Sequence, residues 1–104
     1  MVRAEFFREG GRCTGFTVMG HAMPEGRGGE YDLICAAVSS AVYLCCNTLM
    51  YFMGGCTARQ GDNEITLRVK SDSEAIQAVL RGFHEHMREM SRQHPDYLRT
   101  ISTN

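Results

Sequence analysis

The chain sets a histidine and a cysteine at a spacing that suits thiol chemistry. Gly20-His21-Ala22 is followed by a stretch holding Gly26, Gly28 and Gly29, and then by Asp32, Cys35 and Ser39. A free thiol titrates near about 8.5 and only its thiolate attacks a carbonyl well, so a cysteine nucleophile needs a base or a field that lowers its pKa. His21 closes an expected strand and Cys35 opens an expected apolar helix, so the intervening loop can fold back and bring imidazole and thiol together. With Asp32 as N-cap, Cys35 lies in the first helical turn, where the positive end of the helix dipole favours a thiolate. Residues three and four apart share a helix face, which sets Asp32, Cys35 and Ser39 on one stripe and Ser39 near the sulfur. Asp32 has two readings, as the residue that orients His21 or as a cap committed to backbone amides; a carboxylate facing the thiol would raise its pKa. On residue types alone, such a cysteine is more often a small buried hydrophobe than a nucleophile, and such a histidine is usually structural.

The elements that must position this pair are legible as periodicities. Val2, Ala4 and Phe6 alternate with Arg3, Glu5 and Phe7, a half-buried strand closed by a Gly10-Gly11 turn, and a second strand runs from about Cys13 to Gly20. Leu33 to Met53 carries no formal charge and is long enough to span a membrane. Ser39, Ser40, Asn47 and Thr48 interrupt it and no basic residues flank its N-terminal side, so a core helix is expected, covered by a sheet on one side and a second subunit on the other. Gly54-Gly55 stops this helix. Thr57 to Gln60 and Glu64 to Lys70 then read as strands around a Gly61-Asp62-Asn63 turn. Ser71 stands three residues before Glu74, a capping-box spacing, and Ile76, Val79, Leu80, Phe83, Met87 and Met90 recur along one helical face until Pro95. His84 and His86, two apart, do not share a face, so with His94 they are expected to be solvated rather than metal ligands. The order β-β-α-β-β-α predicts one α+β domain over residues 1–104, with two helices on an antiparallel sheet of about four strands.

Bulk properties narrow the class. Net charge is −1 and the 11 Lys and Arg are scattered along the chain, so no direct nucleic-acid contact is expected. Five cysteines at irregular spacings, with no Cys-x-x-Cys pair and no signal peptide at the start, predict a reduced, cytoplasmic chain. Adjacent Cys45 and Cys46 read either as a redox pair or as two small apolar residues in a buried helix. No metal, cofactor or membrane is called for.

Gly20-His21-Ala22, the glycine loop, and Tyr31-Asp32-Leu33-Ile34-Cys35-Ala36-Ala37-Val38-Ser39-Ser40 together resemble the signature of the ribosomal-processing cysteine protease family, Prp. In outline the resemblance covers nearly the whole chain. It implies an endopeptidase that removes the N-terminal extension of a large-subunit ribosomal protein precursor, cutting after a phenylalanine. It also implies Cys35 as nucleophile, His21 as general base, Gly20, Asp32 and Ser39 at accessory positions, and a homodimer. Cys45, Cys46 and Leu49-Met50-Tyr51-Phe52-Met53 fall outside the matching pattern.

Two other readings stand beside the endopeptidase: a peptide-binding module in which Cys35 only packs, and a thiol redox protein using Cys45 and Cys46. Alkylation separates them, by one fast thiol at Cys35, by none, or by reactivity at the vicinal pair. The glycines at 26, 28 and 29 predict a substrate loop from Met23 to Glu30 that is mobile alone and ordered by peptide. The dimer interface is expected at Tyr43, Met50, Tyr51 or their neighbours on the apolar helix.

Overall fold

Period-two alternation at the start of the chain builds the centre of the sheet. In a computed structural model describing residues 1–20 and 29–104, strand β1 (Val2–Glu9) buries Val2, Ala4 and Phe6 completely. Gly10 and Gly11 both take positive φ, at 57° and 79°, the conformation a two-residue hairpin turn demands, and return the chain into β2 (Arg12–Met19). The register sets Phe6 opposite Phe16 and Ala4 opposite Val18, so the apolar residues of both strands face one way.

Helix α1 (Glu30–Asn47) follows, runs on into a π-helical segment (Thr48–Phe52), and is succeeded by β3 (Cys56–Gly61), β4 (Glu64–Val69), α2 (Glu74–Gln93) and β5 (Leu98–Thr103). The sheet order is β3-β4-β2-β1-β5. Both helices pack on the same face, where Val38 and Val42 of α1 and Leu80, Phe83 and Met87 of α2 join the sheet's apolar residues in a single core. The α+β class with two helices is as expected. The sheet gains a fifth strand, β5, which runs parallel to β1, whereas the other pairings are antiparallel. Only Leu98 of β5 is buried, so this short edge strand carries little hydrophobic alternation to announce it.

Two helix starts differ from expectation. Gly29, not Asp32, is the N-cap of α1, and it offers no side-chain cap. Glu30 and Asp32 both fall in the first turn, where carboxylates stabilise the exposed amides, so the helix begins earlier and Cys35 becomes its sixth residue, in the second turn. At α2 the cap is Ser73, whose hydroxyl accepts from the Ile76 amide at 3.1 Å. Ser71 lies two residues ahead of this cap, with its amide donating to the Gly55 carbonyl at 3.0 Å.

The histidines are not all solvated either. His84 stacks on Phe6 with ring centroids 4.1 Å apart, and burial pushes its pKa down. His94 bonds Glu30, while His86 is exposed. Across α2, the buried Gln77 clamps both backbone groups of Cys13, accepting from its amide at 2.9 Å and donating to its carbonyl at 2.8 Å. Asp72 and Glu74 bind Arg12 beside this clamp, so the start of α2 is tied to the start of β2.

Candidate active site

Cys35 lies on the sheet-facing side of α1 and is 1% exposed. Its Sγ approaches the Gly20 carbonyl oxygen at 3.8 Å, a weak thiol contact that joins the second turn of α1 to the end of β2. Gly20 is held there from two sides. Its amide donates to the Asn63 carbonyl at 2.9 Å, and a Cβ at Gly20 would sit 2.9 Å from the Met1 carbonyl oxygen and 3.3 Å from the Val2 Cα. With φ at +88° as well, the position accepts glycine and strains any other residue. The glycine of the sequence motif therefore lets the chain pass close beside β1 and meet the cysteine.

Asp32 and Ser39 flank Cys35 by three and four residues along the helix, on the same face, and both are partly buried. Cys35 thus meets Gly20, and Asp32 and Ser39 lie one turn before and one turn beyond it on the helix. Gly29 is the exposed cap of the same helix. His21, Gly26 and Gly28 fall within 21–28, outside the described residues, as does most of the expected substrate loop.

Two residues that frame the site were not legible in advance. Tyr97 sets its ring 5.9 Å from that of Tyr31, and His94 Nδ1 lies 3.2 Å from Glu30 Oε1. The Tyr97 carbonyl accepts from the Val2 amide at 2.8 Å, and the Tyr97 amide donates to the His94 carbonyl at 3.0 Å. The link between α2 and β5 thereby buttresses the first turn of α1 and the start of β1 at once. Only Pro95, which ends α2, hinted at a turn there.

The remaining thiols have a different character. Cys13, Cys45, Cys46 and Cys56 are all buried and free. Burial, reinforced by neighbouring thiols, pushes Cys45 up to about 12 and Cys46 up to about 11, and burial raises Cys13 and Cys56 as well. A buried thiol held protonated in this way is a poor nucleophile at neutral pH, which disfavours a redox role at the vicinal pair. Among the described residues no group of three His, Cys, Asp or Glu is assembled for a metal ion.

A family model for the cysteine protease Prp matches residues 1–99. The fold is similar to that of SMU.848 from Streptococcus mutans, with a TM-score of 0.80 at 24% identity, over 100% of this chain and 96% of that one. It is also similar to an essential ribosomal processing protease Prp from S. aureus in complex with a covalently linked product peptide, with a TM-score of 0.79 at 16% identity, over 98% of this chain and 99% of that one. The same S. aureus protease in complex with a substrate peptide gives a TM-score of 0.81 at 15% identity over the same shares. No curated protein matches the chain.

Proposed function

Because the chain belongs to the cysteine protease Prp family, we propose that it removes the N-terminal extension of a large-subunit ribosomal protein precursor, with Cys35 as nucleophile and His21 as general base. The observation that carries this assignment is the contact between Cys35 Sγ and the Gly20 carbonyl, because His21 is the next residue in the chain. In this mechanism the imidazole takes the thiol proton and the sulfur adds to the scissile carbonyl carbon. Collapse of the tetrahedral adduct breaks the C–N bond as the imidazolium protonates the leaving amine. Water then hydrolyses the thioester, giving up a proton to His21 and restoring the thiol.

Asp32, one turn before Cys35, orients the imidazole or helps fix the helix end, and Ser39 lends a hydroxyl one turn beyond the sulfur. Gly26, Gly28 and Gly29 belong to the segment that meets the substrate peptide. Incubating the purified chain with the precursor and weighing both by intact mass spectrometry tests this directly. Loss of a single N-terminal peptide, absent with Cys35→Ala, is the expected result; an intact precursor or a cleaving Cys35→Ala variant overturns it.

We further place the enzyme in the cytoplasm as a homodimer. One stripe of α1 and the π-helical segment faces outward, with Leu33 70%, Leu44 71% and Phe52 86% exposed. Between the helices lies an apolar groove of about 670 Å³, lined by Ala37, Ala41, Leu44, Val79, Phe83 and His86. A soluble monomer rarely leaves so continuous an apolar surface in water, and two-fold pairing is the commonest way to cover it. Of the interface residues expected from the sequence, Tyr43 and Met50 pack against the core and Tyr51 is 73% exposed, so the contact centres on Leu33, Leu44, Tyr51 and Phe52.

A further inference from the structure

Cations that are scattered along the sequence are gathered by the fold. Both helices cover one face of the sheet, and among the described residues the opposite face is open. Alternation with the buried residues places Arg3 of β1, Arg59 of β3, Arg68 of β4, Lys70 just beyond it and Arg99 of β5 on that open face, all five exposed. The carboxylates sharing it by the same alternation are Glu5, which accepts a hydrogen bond from Thr103 at 2.8 Å, Glu9 at the far end of β1, and Glu64. None of the five cations has a carboxylate within 4.0 Å among the described residues, whereas Arg12, Arg88 and Arg92 each do. Arg3 even stands directly opposite Arg99 in the register, a like-charge pairing that costs stability. A face that concentrates unpaired positive charge on a chain of net charge −1 lacks its counter-charge.

The groups between the cations narrow what supplies it. The Thr17 and Thr66 hydroxyls meet at 3.0 Å in the middle of the face. Beside them Arg59, Arg68, Lys70, Thr57 and Thr66, with one carboxylate, Glu64, line a concavity of about 550 Å³. Phe7 is half-buried, is not part of the core, and lies in the same cross-strand row as Gly15 and Arg68. From β5 to β3 the face is about 19 Å wide at a strand spacing of about 4.8 Å. We propose that this open sheet face binds single-stranded nucleic acid, with Arg59, Arg68 and Lys70 on one side of the threonine pair and Arg3 and Arg99 on the other holding phosphates, and Phe7 offering a ring to a base. Cations and hydroxyls are the usual partners of phosphate and sugar, and a sheet bearing an aromatic ring is an established platform for an unpaired base. An acidic peptide would use the cations but leave the ring and hydroxyls without a role. The surface lies across the sheet from Cys35, so it would act as a docking face separate from cleavage.

Fluorescence anisotropy of a labelled oligouridylate across a salt series, with a polyglutamate peptide of equal charge as the comparison, tests this. Five phosphate contacts give a slope of log affinity against log salt of about −3.5. The double variant Arg59→Ala, Arg68→Ala should flatten that slope by about 1.4. Phe7→Ala should weaken binding by about tenfold with the slope unchanged. Arg81→Ala, which removes an exposed, unpaired cation from α2 instead, should change neither. Circular dichroism establishes that each variant is folded. Absence of oligouridylate binding at low salt, an unaltered slope in the double variant, or polyglutamate binding as tight as oligouridylate would each overturn the proposal, the last in favour of an acidic protein segment.

Discussion

Cys35 is the residue on which the chemistry turns, and its surroundings say how a substitution should behave. It occupies a small position in the core with its sulfur against the Gly20 carbonyl. Cys35→Ala removes one heavy atom, so the loss of stability should be about 1 kcal/mol while cleavage of the precursor disappears. His21→Ala should lower cleavage by about a hundredfold or more, the range of a general base, and a smaller loss would mark His21 as structural. Asp32→Asn should be milder than either. At the third position of α1 asparagine keeps the shape of the side chain and surrenders the charge, and an equally severe defect would point to an essential carboxylate. Single-turnover cleavage assays on the three variants, with thermal unfolding alongside, rank these effects. The residue pattern around Cys35 was legible in the sequence because it is local. Which residue capped the helix was not, because Gly29 and Asp32 are both acceptable caps by type.

At the scale of elements, the join between β2 and α2 is where stability concentrates. Gln77 satisfies the amide and carbonyl of Cys13 inside the core, so Gln77→Ala leaves two buried backbone groups without a partner. A loss of about 2–4 kcal/mol is expected in denaturant unfolding, and a loss below about 1 kcal/mol would mean that water or relaxation replaces the clamp. The neighbouring Asp72 makes the same join sensitive to acid. Hydrogen bonds from Arg12 and then from Gln77 hold its carboxyl down to about 2 against an ordinary 3.8. The unfolded chain therefore takes up this proton first. The contribution is fully present above pH 3.8 and is lost as pH falls through that value toward about 2. Unfolding midpoints followed through this window should fall for the native chain, and Asp72→Asn should flatten that part of the profile. A profile identical in both chains would show that other carboxylates govern the acid transition.

For the whole molecule, the decisive quantity is how much apolar surface is left uncovered. The helical stretch Glu30–Phe52 is long and apolar enough to cross a membrane, with mean hydropathy 1.8, yet one side of it is built into the core. Light scattering should report about twice the 11.6 kDa chain mass. Leu44→Glu, which sets a charge in the middle of the exposed stripe, should return the protein to the chain mass without unfolding it. A native chain that scatters as a clean monomer would remove the dimer and leave the stripe for a membrane or another protein to cover.

Whatever depends on near neighbours could be read from the residues alone. The alternation of β1, the turn at Gly10-Gly11, the apolar face of α2 and the helical spacing of Asp32, Cys35 and Ser39 are all patterns within a few residues of one another. Those patterns are enforced by backbone geometry, so they survive in any fold that buries them. Tertiary structure decided what depends on register between distant segments. It paired β5 in parallel with β1, set Gln77 against Cys13, brought Tyr97 to Tyr31, and placed Arg3 beside Arg99 on one open face. Nothing local encodes such pairings, because each is chosen by how the whole apolar surface closes into one core.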